Sequence, residues 1–432
     1  MHIYFSGIGG AGIGPLALLA HEAGYDVSGS DIKDSQYSKY LVKKGINLHI
    51  GQEEEVIANE HANNPIDWVV FSSAVLIENP KHPELVFAHK NKIKVSKRDE
   101  CLNYIISNKK LKLIAAAGTH GKTSTTALAI WIMQELGKKV SYSVGAKTSF
   151  CSLGHYDEDS EYFVYECDEF DRNFLNFNPY VSIITSIDWD HHEIYPTPDD
   201  YKQAFRQFID QSKITYILQK DAKYINCEDK INVKVIDKTS SEINDIKLFG
   251  LHNRQNGLVT LKAIQNITGA SSDILLDIVS RFPGTSRRFE KIADGLYSDY
   301  AHTPEEIEAT LQMVSEINNN YIVVYEPLTN RRQHYMKTQY KNVFDRAKYV
   351  YWLPSYLTRE DPKQKILAPK DLIEFLDAPS KDKTEPAEKN SKLIKTIRNH
   401  LKNGDLVLCL AGGGGGSLDE WIRLKFKEKV NV

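Results

Sequence analysis

Residues Gly118, Gly121, Lys122 and Thr123 stand together in LKLIAAAGTHGKTSTTALAIWIMQEL, residues 111–136, at a spacing that suits phosphate chemistry. Gly118 and Gly121 let successive backbone N–H groups crowd around phosphate oxygens, with Thr119, His120 and Ser124 completing the turn. Lys122 can reach the terminal phosphates of a nucleoside triphosphate, and the Thr123 hydroxyl is placed to ligate Mg2+. Downstream, ECDEFDRNFL carries Glu166, Asp168, Glu169 and Asp171, and SIDWDHHEIYP carries Asp188, Asp190, His191 and His192. Moving a phosphoryl group onto an anionic carboxylate forces like charges together. Metal ions held by carboxylate and imidazole are the usual remedy. Glu166 and His191 are therefore the candidate metal ligands beside Thr123. The alternative is that these acids only solvate a loop, the more natural reading of Asp171 or His192 taken singly.

The flanking sequence must hold these groups in place. Residues 111–117 are a short apolar run ending in small side chains, which suits a buried strand. From Thr123 the apolar positions Ala127, Ile130, Trp131, Met133 and Leu136 recur at helical spacing. Strand, glycine turn and helix together support a phosphate loop, although Ala116 stands where the GxxxxGK[ST] pattern begins with Gly. The acidic clusters follow strand candidates at 162–165 and 181–185, beyond the carboxyl ends of parallel strands, where open α/β sheets place ligands.

A second glycine turn opens the chain. In SGIGGAGIGPLALLAHEAGY, Gly7, Gly9 and Gly12 satisfy GxGxxG after a strand and before a helix, and Asp31 ends the next strand. A dinucleotide, a purely structural turn and a diphosphate-bearing substrate all fit this loop. The rest of the chain favours the last. Further on, FGLHNRQNGLVTLKAI starts a helix with Asn253 and Asn256 in reach of an adenine edge, or with Asn253 as a cap. PGTSRRFE supplies Arg287 and Arg288, and SDYAHTPEEIEATL supplies Asp299 and His302. Arg288 could stabilise charge on a transferring phosphate, with a surface ion pair as the alternative.

With about 150 residues per domain, 432 residues predict roughly three. The expected fold is α/β: a Rossmann-like domain over 1–109, a central P-loop domain with a parallel sheet over 110–293, and a Rossmann-like C-terminal domain over 294–432. Further strand candidates fall at 2–5, 68–71, 93–95, 216–218, 321–325, 349–353 and 406–410. KDKTEPAEK at 381–389 is charged and apolar-poor, hence expected as a surface loop or linker. A net charge of −3 gives no electrostatic case for nucleic acid or a membrane surface as partner. Five cysteines without CxxC spacing indicate neither a disulfide framework nor a zinc site. With no apolar run near the ~20 residues that span a bilayer and no leader-like N-terminus, a soluble cytoplasmic protein is expected, monomer or homodimer.

Taken in order, GIGGAGIG (7–14), SGSD (28–31), FSSAVLIENP (71–80), GTHGKTS (118–124), YECDEFD (165–171) and DH (190–191) resemble the Mur ligase family of ATP-dependent amide-forming ligases of peptidoglycan synthesis. HNRQN (252–256), RRFE (287–290) and DYAHTPEE (299–306) continue the match across essentially the whole chain. Within the family, GIGGAG with SGSD, SSA and the His of GTHGKT is similar to the branch that adds L-alanine to UDP-N-acetylmuramate. The resemblance implies that the first domain holds UDP through Gly9, Gly10, Gly12, Asp31 and Ser73. It assigns Lys122 and Arg288 to the transferred phosphoryl group, and Thr123, Glu166 and His191 to magnesium. Asn253 and Asn256 would contact adenine, and Asp299 and His302 the ribose or phosphates of ATP. The third domain would close over both substrates and help place the amine, through a region that contains Arg331 and Arg332.

Three departures stand out. Ser186 replaces the family's usual Asn before its Asp-His pair, and Thr303 replaces the second His of DYxHHP. EPLTNRRQHY replaces the HRYxRT segment of the alanine-adding branch, and its start resembles the murein-tripeptide recycling ligases. Ligation of a preformed tripeptide is thus the alternative within the family. A Rossmann oxidoreductase or nucleotide switch is the distant one. The glycine run 412–416 receives no role.

Overall fold

The computed structural model describes residues 1–426 except 11, 35, 73, 74, 76–78, 80, 238–240 and 359, so Ser73 lies outside the described residues. Three α/β sheets follow one another along the chain. The first contains β1 (His2–Ser6), β2 (Asp26–Asp31), β3 (Asn47–Ile50), β4 (Trp68–Phe71) and β5 (Lys94–Lys97), all parallel, in the order β3-β2-β1-β4-β5. The chain winds both ways from β1, so the turn that follows it opens at the switch point, where such sheets bind ligands.

The second sheet has the order β12-β11-β10-β6-β9-β7-β8. Its strands are β6 (Lys112–Ala117), β7 (Val140–Ser143), β8 (Gly154–His155), β9 (Tyr162–Glu166), β10 (Val181–Ile184), β11 (Thr215–Leu218) and β12 (Val233–Ile236). All pairs are parallel except β7 with the edge strand β8. Strand β6 lies between β9 and β10, with Ala116 opposite Glu166 and Ala117 opposite Ile184. That register makes three strand ends finish at one level. It brings together segments about 50 and 70 residues apart in sequence, because parallel strands all point their carboxyl ends the same way.

The third sheet has the order β13-β14-β18-β15-β16-β17. It contains β13 (Glu290–Ala293), β14 (Leu296–Asp299), β15 (Tyr321–Glu326), β16 (Tyr349–Trp352), β17 (Thr384–Pro386) and β18 (Leu406–Ala411), with only β13 antiparallel. Residues 290–293 therefore pair into this sheet rather than the second. The segment expected to be a loop or linker, 381–389, instead begins on the last residue of the helical turn Ala378–Lys381 and supplies edge strand β17. Its outer edge is open to solvent, so charge is tolerated there, and Pro386 lacks only a donor that an edge strand need not use.

The chain divides into two compact units, residues 1–246 with 255–283, and 247–254 with 284–432. In the first unit one apolar cluster runs through both sheets, from Ile3, Phe5, Leu16 and Leu19 to Phe163, Tyr165, Phe174 and Phe205. The helix Ile13–Glu22 explains this continuity. Residues Ile13 to Ala20 are all buried, so the helix is apolar around its whole circumference and packs against both sheets. Its last residue, Glu22, accepts the Tyr156 N–H at 2.8 Å and pairs with His155 Nδ1 at 3.0 Å. The second unit carries two clusters, one on each face of the third sheet.

Candidate active site

The turn from β6 into the helix Lys122–Glu135 contains two glycines whose positive φ values disfavour a side chain. Gly118 has φ +139°, and a Cβ there would lie 2.2 Å from Thr185 Oγ1 and 2.7 Å from the Ser186 carbonyl. Gly121 has φ +81°, and a Cβ would lie 2.5 Å from Asn256 Nδ2. The end of β10 braces the turn. Thr119 N–H donates to the Ser186 carbonyl (2.9 Å), His120 N–H to the Ser186 hydroxyl (3.0 Å), and Thr185 Oγ1 to the His120 carbonyl. Ser186 thus has a place of its own where the family usually has Asn. Thr119 Oγ1 lies 2.8 Å from the buried Tyr201 hydroxyl and accepts the Asp188 N–H. Ser124 sits half-buried in the first turn of the helix.

Lys122 is the centre of a buried ion pair. Its ammonium donates to Glu169 Oε2 (2.7 Å) and to the carbonyls of Gly118 (2.7 Å) and Thr119 (3.2 Å). Burial alone would lower its pKa, but Glu169 and Asp168 raise it above the usual lysine value, so the charge is kept. Burial likewise pushes Glu169 upward, while Lys122 and His191 hold it below the usual carboxylate range. His191, with φ 55°, places Nε2 3.6 Å from Glu169 Oε1 and its ring edge-on to Phe170. Beside this pair, Thr123 Oγ1 donates to Glu166 Oε1 (2.8 Å), and Gly145 N–H donates to Glu166 Oε2 (3.2 Å).

Lys122, Thr123, Glu166 and His191 are thus brought together in the first unit. Among the described residues no three His, Cys, Asp or Glu side chains converge as a preformed metal cluster. The Thr123 hydroxyl and Glu166 carboxylate are hard oxygen donors, and Mg2+ takes one or two such protein ligands while keeping waters and phosphate oxygens. Glu169 is the residue that reading the sequence left without a role. It is fully buried, and no periodicity beyond β9 marks it out among its acidic neighbours.

The first glycine turn is built differently. Gly9 N–H donates to Asp31 Oδ2 (2.8 Å), and Ile8 N–H to the Ser30 carbonyl (2.9 Å), which ties the turn to β2. Gly10 N–H closes on the Gly7 carbonyl (3.0 Å), and Gly12 forms the N-terminal cap of the helix Ile13–Glu22. Beneath it the buried Glu84 accepts the hydroxyls of Tyr4 (2.7 Å), Ser6 and Ser30, clamping β1 to β2. No lysine stands in this turn.

Arg288, Asp299, His302, Arg331, Arg332 and Asn253 belong to the second unit, whereas Asn256 belongs to the first. Asp299 is buried and accepts N–H groups from Phe289 (2.7 Å) and Ala301 (2.8 Å), which fixes the turn carrying Arg287 and Arg288. Arg287 is bound to the carbonyls of Ala411 (2.8 Å) and Gly413 (2.7 Å), while Arg288 lies over the Tyr300 ring at 4.9 Å. Burial, with help from Arg288, pulls the His252 pKa down to about 4. His302 pairs with Glu306 (2.9 Å) and with Arg332 Nη1 (3.0 Å). Thr303, in place of a second His, caps the helix Pro304–Ser315 by accepting the Glu306 N–H. Arg331 lines a cavity of about 430 Å3 with Tyr335, Glu360, Asp361, Pro362 and Gln364. Asn253 donates to the Phe249 carbonyl (2.9 Å). The glycine run is close-packed only at its start, where a Cβ at 412 would meet His302 at 3.0 Å and one at 413 would meet Tyr356 at 2.7 Å, whereas 414–416 are exposed.

Three family profiles match in sequence: Mur ligase family, catalytic domain, at 2–110; Mur ligase middle domain at 116–285; and Mur ligase, glutamate ligase domain, at 287–413. A UDP-N-acetylmuramate–L-alanine ligase from Agathobacter rectalis is 30% identical over 455 residues, covering 96% of this chain and 95% of the relative. The chain belongs to the Mur ligase family. As a Mur ligase it is an ATP-dependent, amide-forming enzyme with a three-domain α/β fold. A similarly named ligase from Caldicellulosiruptor saccharolyticus is 29% identical over 458 residues, covering 98% and 97% of the two chains. Among solved structures, UDP-N-acetylmuramate-alanine ligase from Thermotoga maritima has a similar fold, with TM-score 0.74, 22% identity and coverage of 99% and 98%. A murein peptide ligase from Psychrobacter arcticus has TM-score 0.65 and 21% identity over the whole of both chains. Among the described residues no helix is long and apolar enough to cross a membrane.

Proposed function

We propose that this Mur ligase joins L-alanine to the lactyl carboxylate of UDP-N-acetylmuramate, in the cytoplasm, as a step of peptidoglycan precursor synthesis. A carboxylate is a poor electrophile, so its oxygen first attacks the γ-phosphorus of ATP and ADP leaves. The acyl phosphate is then attacked by the unprotonated amine, and the tetrahedral intermediate collapses to amide and inorganic phosphate. The observation that carries the reading is the shared level of three strand ends, where the phosphate turn, the Thr123–Glu166 pair and the Lys122–Glu169–His191 group stand side by side. The names of the relatives in their full-length matches supply the substrates.

In this reading Gly118, Thr119, His120, Gly121 and Ser124 line the phosphates of ATP. Lys122 and Arg288 neutralise charge on the phosphoryl group in flight. Thr123, Glu166 and His191 would hold Mg2+, which when bound offsets repulsion between the phosphates and the attacking carboxylate. Glu169 keeps Lys122 charged and aimed. Asn253 and Asn256 serve adenine, Asp299 and His302 the ribose or phosphates, and Arg331 and Arg332 the amine substrate. Gly9, Gly10, Gly12, Asp31 and Ser73 serve UDP, and the proposed division into segments 1–109, 110–293 and 294–432 changes in that residues 290–293 pair with the third segment's sheet.

A second reading, ligation of a tripeptide to the same sugar nucleotide, is favoured by EPLTNRRQHY and by the fold likeness to the murein peptide ligase. Phosphate release from ATP with UDP-N-acetylmuramate and a panel of amines separates the two. Turnover with L-alanine at least tenfold above the tripeptide L-alanyl-γ-D-glutamyl-diaminopimelate is expected. The reverse order would replace the first reading with the second.

A further inference from the structure

Between the two glycine turns runs a short chain of side chains that the chemistry above does not use. The helix Arg98–Asn108 starts against the first turn, and a Cβ at Gly12 would lie 2.8 Å from Arg98 Nη1. Arg98 Nη2 donates to both oxygens of Asp99, at 3.1 and 3.2 Å. The Asp99 carboxylate is 4% exposed and accepts the Tyr165 hydroxyl at 2.7 Å. Tyr165 is the residue before Glu166 in β9, and successive strand residues face opposite sides. Tyr165 therefore faces Asp99 in the core shared with the first sheet, while Glu166 faces Thr123. A second tie brackets the same segment, from Lys97 Nζ to Asp171 Oδ2 at 2.5 Å. One carboxylate thus links a guanidinium at the first turn to the strand end that carries the hydroxyl–carboxylate pair of the second.

We propose that Arg98, Asp99 and Tyr165 are a positioning relay: Arg98 holds the diphosphate of the sugar nucleotide at the first glycine turn, and Asp99 and Tyr165 pass its occupancy to the Glu166 strand end. The inference rests on reading the first turn as the sugar-nucleotide site. When the guanidinium turns from Asp99 toward a diphosphate, the buried Asp99 carboxylate loses its charge partner and leans on the Tyr165 hydroxyl. A charge-assisted hydrogen bond in a low-dielectric core strengthens when its competitor leaves. The strand end is thereby held with Glu166 facing Thr123, so each substrate favours the other. By linkage the effect is reciprocal.

The test is calorimetric binding of UDP-N-acetylmuramate and of β,γ-imido-ATP with Mg2+, each alone and in the presence of the other. In the wild type each ligand should tighten the other about tenfold. Tyr165→Phe should bring that factor to about 1 to 2 while each ligand alone binds within about threefold of wild type. A merely structural role for the hydroxyl would shift both affinities and leave the ratio unchanged. Arg98→Lys should weaken the sugar nucleotide alone at least tenfold and leave the ATP analogue alone unchanged, because Lys lacks the planar fork. If Tyr165→Phe does not fold, Asp99→Asn carries the same comparison. A wild-type factor retained in the folded variants, or no coupling in the wild type, overturns the relay with the substrate reading intact. Failure of the wild type to bind UDP-N-acetylmuramate at all overturns the substrate reading, and the relay with it.

Discussion

The two glycine turns of the first unit share one backbone plan and differ in what their side chains add. Each follows a buried parallel strand, β1 or β6, and each opens a helix. At residues 7–12 a carboxylate, Asp31, ties down the Gly9 N–H and no lysine is present. At 118–123 Lys122 projects from the turn onto a buried glutamate, and Thr123 meets Glu166. The backbone alone offers N–H groups and a helix end to any phosphate. A side-chain cation and a metal-suited pair of oxygens turn such a cradle into a place where a terminal phosphate can be moved. The comparison teaches that the turn recognises phosphate and the side chains decide whether chemistry follows.

Removing the lysine should break the comparison most severely. Lys122→Ala is expected to lower kcat by at least about 1,000-fold, since it removes charge stabilisation and leaves Glu169 buried without its cation. UDP-N-acetylmuramate binding measured without ATP should stay within about threefold of wild type. Joint loss of both affinities would erase the distinction between the turns. The glycines sharpen it next. Gly118→Ala puts a Cβ against backbone and Thr185 at a φ of +139°, and should cost about 100-fold in kcat/KM for ATP. Gly12→Ala, at φ −96°, meets only the far end of Arg98 and should cost a few-fold in KM for the sugar nucleotide. Equal losses would show that both turns are equally constrained.

Much of this contrast was legible in the residues. Lys122 and Thr123 sit in a strand–turn–helix pattern whose periodicity is local, and the register of β6 with β9 and β10 then carries Glu166 and Ser186 to the turn. Glu169 was not legible. Beyond Glu166 the strand ends, so nothing in CDEFD says which carboxylate turns toward the lysine. Glu84 was hidden for another reason, since its three hydroxyl donors come from β1 and β2, more than 50 residues away. The edge strand β17 read as a linker because an exposed edge needs no apolar residues. The shared core of the first two sheets is a long-range packing outcome, visible locally only as a helix apolar on all sides.

Two further effects extend the series. Glu166→Gln should raise the Mg2+ concentration for half-maximal rate about tenfold, while Asp31→Asn leaves it unchanged. An identical metal dependence in both would remove Glu166 from the metal site. The weakest effect concerns the join between the turns' scaffolds. Hydrogen bonding to Glu22 lifts the His155 pKa above its ordinary 6.5. Burial opposes ionisation of Glu22, yet His155 and the Tyr156 N–H hold it below its ordinary 4.5. The His155 contribution is complete below pH 6.5 and fades as pH rises through its raised folded value. The Glu22 contribution is complete above pH 4.5 and fades as pH falls through its lowered one. The pair therefore stabilises most between these limits, by less than about 1 kcal/mol because it is partly exposed. Thermal melts should show Glu22→Gln flattening the wild-type loss of stability above pH 6.5.

The central claim is that ATP is used to activate a carboxylate of the sugar nucleotide. Isotope transfer tests it most directly: UDP-N-acetylmuramate labelled with 18O in its lactyl carboxylate is incubated with ATP, Mg2+ and L-alanine, and the released phosphate is weighed by mass spectrometry. One labelled oxygen should appear in phosphate for each amide formed, because the acyl phosphate breaks at the carbonyl carbon. Unlabelled phosphate alongside amide product would contradict the account.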